Sequence, residues 1–510
     1  MKINLIENFE ETIQLFPDKI AVIDGTKSIN FNDLALNSKI LAGNLIKVNN
    51  TLNKPIAVYL PKSIESVYSN LAITYSGNIY MNLDVKTPIE RIGNIIELIE
   101  PVAIITNNKY IKVLSAIVPH EVKIVNLDEI KQNEIYDSNL ILGRLSKVID
   151  ADPYCIINTS GSTGTPKGVV LNHRSFFDFI SRSQEVFDFS NDEIIGSLSP
   201  LVFDIYSYEL CLLMSNASTI VIIPDHLSAF PASILKIMQE TKVSFIFWVP
   251  TIMVNIANMD LLTQIDLPSL KLVWFAGEVF PTKQFNYWKY VLSNTKFANL
   301  YGPIEITLDC VYYVVEREIK DEEPIPIGYA YKNTDILILD DNNKNITSNN
   351  VDGELCVRGT SLAMGYYNNA EKTAVAFVPN PINHSYPEII YRTGDVVFVN
   401  DLGEIVFKGR KDSLVKHMGY RVELGEIEHI IINKLKLVKN GCVVYNHSQK
   451  EITLFYESEQ EILPADFRKA IGVSLPKYMI PIVYHRLDEL NRNTNGKIDR
   501  LYYNNQINNI

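Results

Sequence analysis

Between Asn158 and Val170 the chain reads "NTSGSTGTPKGVV": small hydroxyl side chains, three glycines and one lysine, set between two apolar stretches. "YCII" precedes it and "VVLNHRSFFDFI" follows, a pattern that predicts strand, loop and helix, the usual setting of phosphate-cradling loops. Backbone N–H groups and hydroxyls in such a loop can donate to an oxyanion while Lys167 supplies charge. It is not a Walker A loop, which needs Ser or Thr after the lysine; here Gly168 follows Lys167. A lone Gly/Ser loop is more often an ordinary turn. Four further segments change that balance. "YGPIEITLDC" sets Glu305 in a turn after a predicted strand, "YRTGD" sets Asp395 after another, "GRKD" carries Arg410 and Asp412, and "NRNTNGKIDR" carries Lys497. Each alone reads as a turn or a surface pair; five together do not.

The elements that must position these residues show in the periodicity. Between residues 55 and 300, short β-branched and aromatic runs ("PIAVYL", "VAIITN", "TIVIIP", "VSFIFWVP", "LKLVWFA") alternate with amphipathic stretches such as "PKSIESVYSNLAITYSG" and "PASILKIMQETK". That alternation predicts an α/β domain with largely parallel sheets. From about 335 to 407 the pattern changes to hairpins, "ILILDDNNKNITSNNVDGELCVRG" and "DVVFVNDLGEIVFKGR". After Asp412 it changes again: "ELGEIEHIIINKL" and "ADFRKAIGVSL" read as helices, "NGCVVYN" and "EITLFYE" as strands. A small α+β domain of about a hundred residues is expected there.

Bulk composition bounds the function. A chain of 510 residues exceeds a single core, so at least two domains are expected. A net charge of −12 without a long basic run argues against nucleic acid as a partner, though local loops can still bind small anions. The five cysteines are scattered, with no CxxC pair, which predicts neither a disulfide framework nor a zinc site and fits a reducing cytoplasm. The first residues, "MKINLIENFEETIQLFPDKIAVIDG", lack the apolar core of a signal peptide, and no apolar run reaches the roughly 20 residues of a membrane helix. A cytoplasmic protein without a membrane partner is the expectation.

From "FPDKIAVIDG" to "NGKIDR" the ordered segments resemble the adenylate-forming enzymes, in particular the amino-acid adenylation domains of nonribosomal peptide synthetases and their stand-alone relatives. The resemblance spans essentially the whole chain. It implies a large N-terminal domain over 1–411, with parallel-sheet subdomains and a β-rich subdomain, and a small mobile α+β domain over 412–510 that swings about a hinge at Asp412. It also implies ATP and Mg²⁺ as cofactors, with roles for the residues that match its motifs. Thr159, Ser160, Gly161, Ser162, Thr163, Gly164 and Lys167 would hold the leaving pyrophosphate, with Thr163 and Lys167 acting in catalysis. Glu305 would hold Mg²⁺, a hard cation that favours carboxylate oxygen beside phosphates. Asn299, Leu300, Tyr301 and Gly302 would line the nucleotide, Asp395 would accept from the ribose hydroxyls, and Arg410 would lie nearby. Lys497 would bridge the substrate carboxylate, the ribose and the α-phosphate as charge redistributes. The implied reaction is attack of a carboxylate on the α-phosphate of ATP, giving an acyl-adenylate and pyrophosphate.

The sequence departs from the family pattern at Ile304 in "GPIE", in "MNLDVKTP", and at His417 and Met418, while Glu305, Asp395 and Lys497 are intact. Asp204 in "LVFDIYSYEL" matches the position that pairs with a substrate α-ammonium, so the resemblance implies an α-amino acid. Ile205, Tyr208, Phe247, Trp274, Ala276, Leu300, Leu308 and Asp309 would line its side-chain pocket. Bulky Tyr208, Phe247 and Trp274 imply a small side chain: serine, alanine, glycine, proline or a relative. Ala276 with Leu300 is similar to prolyl-adenylating enzymes, whereas Leu300, Leu308 and Asp309 are similar to a serine pocket. No condensation or carrier-protein motif is present in the sequence, so a separate phosphopantetheinylated carrier protein is the expected acceptor. A D-alanyl or L-prolyl carrier-protein ligase, an acyl-CoA ligase on the same fold, and an inactive nucleotide-binding scaffold are the rival readings.

Overall fold

A computed structural model describes residues 2–131, 135–159, 166–411, 414–458, 460–492 and 498–508. The chain forms two compact units: residues 1–85, 99–157 and 168–409, and residues 86–98, 158–167 and 410–510.

The apolar runs of the first unit become strands because they are buried on both faces, the habit of parallel sheets covered by helices. Its larger sheet has nine strands, ordered Tyr329–Ala330, Val311–Val314, Lys296–Tyr301, Leu272–Ala276, Phe245–Trp248, Ile194–Ser197, Thr219–Ile222, Ile20–Asp24 and Lys27–Asn30. All but the outer strands pair in parallel. A seven-stranded sheet runs Gly365–Tyr366, Lys167–Asn172, Pro153–Thr159, Ile79–Leu83, Pro55–Tyr59, Ala103–Thr106 and Lys123–Asn126. The hairpin region forms a five-stranded sheet in which Ile389–Val399 pairs antiparallel with Gly353–Gly359 and Phe377–Pro379.

Side chains alternate across the larger sheet with the strand period of two. Phe245, Phe247, Trp274, Ala276, Ala298 and Leu300 enter a core shared with the seven-stranded sheet and the helices His173–Phe187 and Asp204–Asn216. Ile246, Trp248, Val273, Phe275 and Phe297 face the opposite core. Register sets Phe247 beside Trp274, Trp274 beside Ala298, and Ala276 beside Leu300.

Two sequence expectations are corrected here. The chain does not pass from the hydroxyl-rich loop straight into a helix: the strand Lys167–Asn172 comes first. Val169, Val170 and Leu171 are buried and pair with Gly365–Tyr366, and the helix starts only where Asn172 caps it by accepting from the Ser175 N–H. Asp395 does not follow a strand but lies within one, Ile389–Val399.

In the second unit, Leu414–His417 and Tyr420–Glu423 form a hairpin turned by Met418 and Gly419, with φ of 52° and 81°. Asn440–Asn446, Glu451–Glu457 and Val483–Leu487 form a three-stranded sheet, with Ile427, Ile431, Phe467 and Ile471 among the residues of its core. The architecture is thus mixed α/β with parallel sheets, a β-rich subdomain and a smaller α+β unit.

Candidate functional site

Ligand crevices in open α/β sheets form beyond the carboxyl ends of parallel strands. Phe247, Trp274, Ala276 and Asn299 to Tyr301 sit at the ends of three adjacent strands, Phe245–Trp248, Leu272–Ala276 and Lys296–Tyr301. Beyond the last of these the chain folds tightly. A Cβ on Gly302 would lie 2.0 Å from the Leu308 carbonyl oxygen and 2.6 Å from the Asp309 Cα, so only glycine lets the two segments meet. Thr307 and Leu308 both have positive φ, 54° and 67°. Two consecutive non-glycine residues in the left-handed region, one of them β-branched, are costly, and such strain concentrates where side chains must be aimed. The turn buries Glu305 and Asp309 on either side of it.

Two contacts join residues far apart in sequence. The Tyr301 hydroxyl donates to a carboxylate oxygen of buried Asp395, whose N–H donates to the Thr393 hydroxyl at 3.0 Å. Burial first, then the Asp395 charge, push the Tyr301 phenol well above its usual range, so it remains a donor. The Tyr366 hydroxyl donates to Glu305 Oε1 at 2.8 Å, and the Ala363 N–H donates to the Glu305 carbonyl oxygen at 2.8 Å. The Asn299 amide donates to the Pro326 carbonyl oxygen at 2.8 Å, so that side chain ties the strand end to a neighbouring loop.

Ile205, Tyr208, Phe247, Trp274, Ala276, Leu300 and Leu308 all belong to one buried cluster. Trp274 is its hub: the Tyr208 ring stacks on it at 5.5 Å, and Phe247, Phe245, Phe187 and Phe189 approach within 4.6 to 5.3 Å. Asp204 is half-buried at the first position of the helix Asp204–Asn216, and its Oδ1 accepts from the Ile205 N–H at 3.0 Å. A helix N-terminus stabilises a carboxylate there, which eases the cost of placing it beside apolar residues.

In the other unit, Thr159 ends the strand Pro153–Thr159, Lys167 opens the next strand, and Arg410 ends Ile405–Arg410 half-buried. The Thr159 hydroxyl and both amide atoms of Asn158 are buried without a hydrogen-bond partner. Ser160, Gly161, Ser162, Thr163, Gly164, Asp412 and Lys497 lie outside the described residues.

Sequence reasoning missed Tyr366, Arg182 and Tyr331. Tyr366 carries no local signal, since its link to Glu305 spans 61 residues. Arg182 had one: it stands four residues after Asp178 in an apolar helix face, the spacing of an ion pair, and its Nε lies 2.8 Å from Asp178 Oδ2.

This fold, with the tyrosine–carboxylate pairs beside its strand ends, is that of an adenylate-forming enzyme. The chain belongs to the AMP-binding enzyme family, which it matches over residues 9–367. It is 30% identical over 495 residues to tyrocidine synthase 1 of Brevibacillus parabrevis, covering 96% of this chain and 44% of that protein. It is also 30% identical over 497 residues to gramicidin S synthase 2 of Brevibacillus brevis, covering 97% of this chain and 11% of that protein. The chain thus spans less than half the length of these relatives, as one adenylation domain would. Among solved structures it shares the fold of the Vibrio cholerae adenylation domain AlmE, crystallised with glycyl-adenosine-5'-phosphate: TM-score 0.84, 20% identity, 99% of this chain and 98% of that one. It shares it equally with o-succinylbenzoate CoA synthetase from Bacillus subtilis: TM-score 0.83, 19% identity, 100% and 99%. As a member of this family the chain is an adenylate-forming ligase. Among the described residues no helix is long and apolar enough to cross a membrane.

Proposed function

We propose that the enzyme activates a small α-amino acid with ATP, releasing pyrophosphate, and passes the aminoacyl group to the phosphopantetheine thiol of a carrier protein. The observation that carries the amino-acid reading is Asp204, a half-buried carboxylate at a helix N-terminus, directly before Ile205 and about one turn before Tyr208, whose ring stacks on Trp274. An α-ammonium is the substrate group whose charge and donors such a carboxylate complements.

In this reading Asp395, held by Tyr301, would accept from the ribose. The roles left for Asn158, Thr159 and Lys167 are to bind phosphate, and the orphaned atoms of Asn158 and Thr159 support a polar ligand there. Mg²⁺ fits Glu305, whose buried carboxylate is oriented by Tyr366. Among the described residues no group of three or more His, Cys, Asp or Glu could hold a metal by itself. An ion at Glu305 would therefore complete its shell with phosphate oxygens and water, the habit of Mg²⁺. Bound there, Mg²⁺ would neutralise phosphate charge as two anions meet. Lys497 is the proposed stabiliser of the α-phosphate, delivered by a mobile C-terminal domain hinged at Asp412.

The similarity of fold to a CoA synthetase keeps acyl-CoA formation as the second reading. The test is exchange of labelled pyrophosphate into ATP, with amino acids set against fatty and aryl acids, followed by product mass with coenzyme A or a phosphopantetheinylated carrier as acceptor. Exchange driven by an amino acid and a loaded carrier are expected. Exchange driven only by fatty or aryl acids, with a CoA thioester formed, would overturn the proposal.

A further inference from the structure

Three buried polar groups that pack around one phenylalanine ring lack a partner in the protein. Arg182 Nη2, the Tyr331 hydroxyl and the indole N–H of Trp274 make no hydrogen bond. All three side chains surround Phe179: the Arg182 guanidinium lies 5.6 Å from its ring centroid, Tyr331 5.6 Å and Trp274 6.5 Å. They come from three separate segments, a helix, a strand and a loop, and Arg182, Trp274 and Tyr331 are all buried. Folded proteins rarely leave one such group bare, because it loses its water without replacement. Three around one ring point to a ligand.

The rest of the Arg182 guanidinium is committed. Arg182 is fixed by Asp178, by its own donation to the Asp178 carbonyl oxygen at 3.2 Å, and by Nη1 donating to the Thr334 hydroxyl at 2.6 Å. That anchoring leaves Nη2 as the open edge of the guanidinium. The Tyr208 hydroxyl is engaged with the Ser183 hydroxyl at 2.7 Å. Buried Asp309 completes the surroundings, and its charge acts on Arg182, Tyr208 and Tyr331.

The donor inventory narrows what can fit. Arginine and indole nitrogens only donate, so the ligand must offer a lone pair; the Tyr331 hydroxyl can do either. A carboxylate would meet the charges of Asp309 and Asp178. An ammonium has no lone pair, and an alkyl group would leave the donors bare. A neutral group that both accepts and donates satisfies all of them. The large rings already packed there, Tyr208, Phe179, Phe187, Phe189, Phe245 and Phe247, favour a short one.

We propose that Arg182, Tyr331 and Trp274 form the polar floor of the side-chain pocket and select an amino acid whose short side chain ends in a hydroxyl or a carboxamide. This rests on the amino-acid reading above.

The test compares near-isosteric substrates in pyrophosphate exchange: serine with alanine, threonine with valine, and asparagine with leucine. The readout is the ratio of kcat/KM within each pair, for the wild type, Tyr331→Phe and Arg182→Met. Tyr331→Phe keeps the ring contacts and removes one oxygen, so it stays informative if Arg182→Met fails to fold. At least one polar member should exceed its apolar partner by about tenfold or more, and Tyr331→Phe should cut that ratio about three- to tenfold through the KM of the polar substrate. A preference for the apolar members, or a ratio unchanged in Tyr331→Phe, overturns the floor while leaving amino-acid activation standing. No exchange with any amino acid overturns both.

Discussion

His173 should make the first unit sensitive to mild acid. Its ring is fully buried at the first position of the helix His173–Phe187, packs on Tyr154 at 5.1 Å, and accepts through Nδ1 from the Leu5 N–H at 3.4 Å. Burial pushes its pKa down from 6.5 to about 3, only slightly opposed by Asp150. A positive charge at a helix N-terminus is unfavourable as well. The folded pKa lies below the unfolded one, so the unfolded chain binds the extra proton, and stability is full above about pH 6.5 and is lost as pH falls toward 3. Between pH 7.5 and 5.0 that loss is about 2 kcal/mol for this one group. Other acid-titrating groups contribute in both proteins, so the quantity to measure is the difference between the wild type and His173→Phe. The three tryptophans, Trp248, Trp274 and Trp288, all lie in the first unit, so their fluorescence during urea unfolding reports on the part that holds His173. His173→Phe should lose about 2 kcal/mol less than the wild type over that pH range. Equal losses would mean that the ring is protonated in the folded state without penalty, and the reasoning would fail.

Glu209 should act in the opposite sense: burial pushes its carboxyl from 4.5 up to about 7, so the folded state holds the proton longer and stability falls as pH rises through that window. Glu209→Gln should abolish this decline, as read from unfolding midpoints at pH 5.5 and 7.5. Asp204→Asn should lower kcat/KM for the amino acid about 10- to 100-fold, the value of one charge-assisted contact at a half-buried site, without improving fatty or aryl acids. Tyr301→Phe removes the donor to Asp395 and should raise the KM for ATP about tenfold, with a smaller change in kcat. Lys497→Ala should slow adenylate formation by about 10²–10³ yet spare thiol transfer from a preformed adenylate, as resolved by single-turnover kinetics of each step. Equal losses in both steps would remove the moving-domain role.

The strands of the parallel sheets were legible because burial on both faces writes itself as continuous β-branched runs: "PIAVYL" became Pro55–Tyr59 and "LKLVWFA" became Leu272–Ala276. The strand Lys167–Asn172 was not, since "KGVVLN" is short and merges with the helical pattern after it, and only pairing with Gly365–Tyr366 makes it a strand. Among site residues, Trp274, Ala276 and Leu300 were implied by the family resemblance rather than by local pattern, and the structure sets them in one buried cluster on adjacent strands. The strained turn at Thr307 and Leu308 gave no such sign: neither residue favours positive φ, and the conformation comes from Gly302 drawing the two segments together. Tyr366 and Tyr331 could not be read from local pattern at all, because their partners come from distant segments. The half-exposed setting of Asp204 was also invisible, and it lowers the expected cost of removing that carboxylate relative to a fully buried pair.

The central claim is that a substrate carboxylate attacks the α-phosphate of ATP. If it does, one carboxylate oxygen must leave with AMP when a thiol displaces the acyl group. The direct measurement is the mass of the AMP released in a full turnover with an amino acid carrying heavy oxygen in its carboxylate, ATP, Mg²⁺ and a phosphopantetheinylated carrier. AMP heavier by one labelled oxygen, formed together with pyrophosphate and a loaded carrier, is the predicted result. Unlabelled AMP, or release of ADP and phosphate in its place, would contradict it.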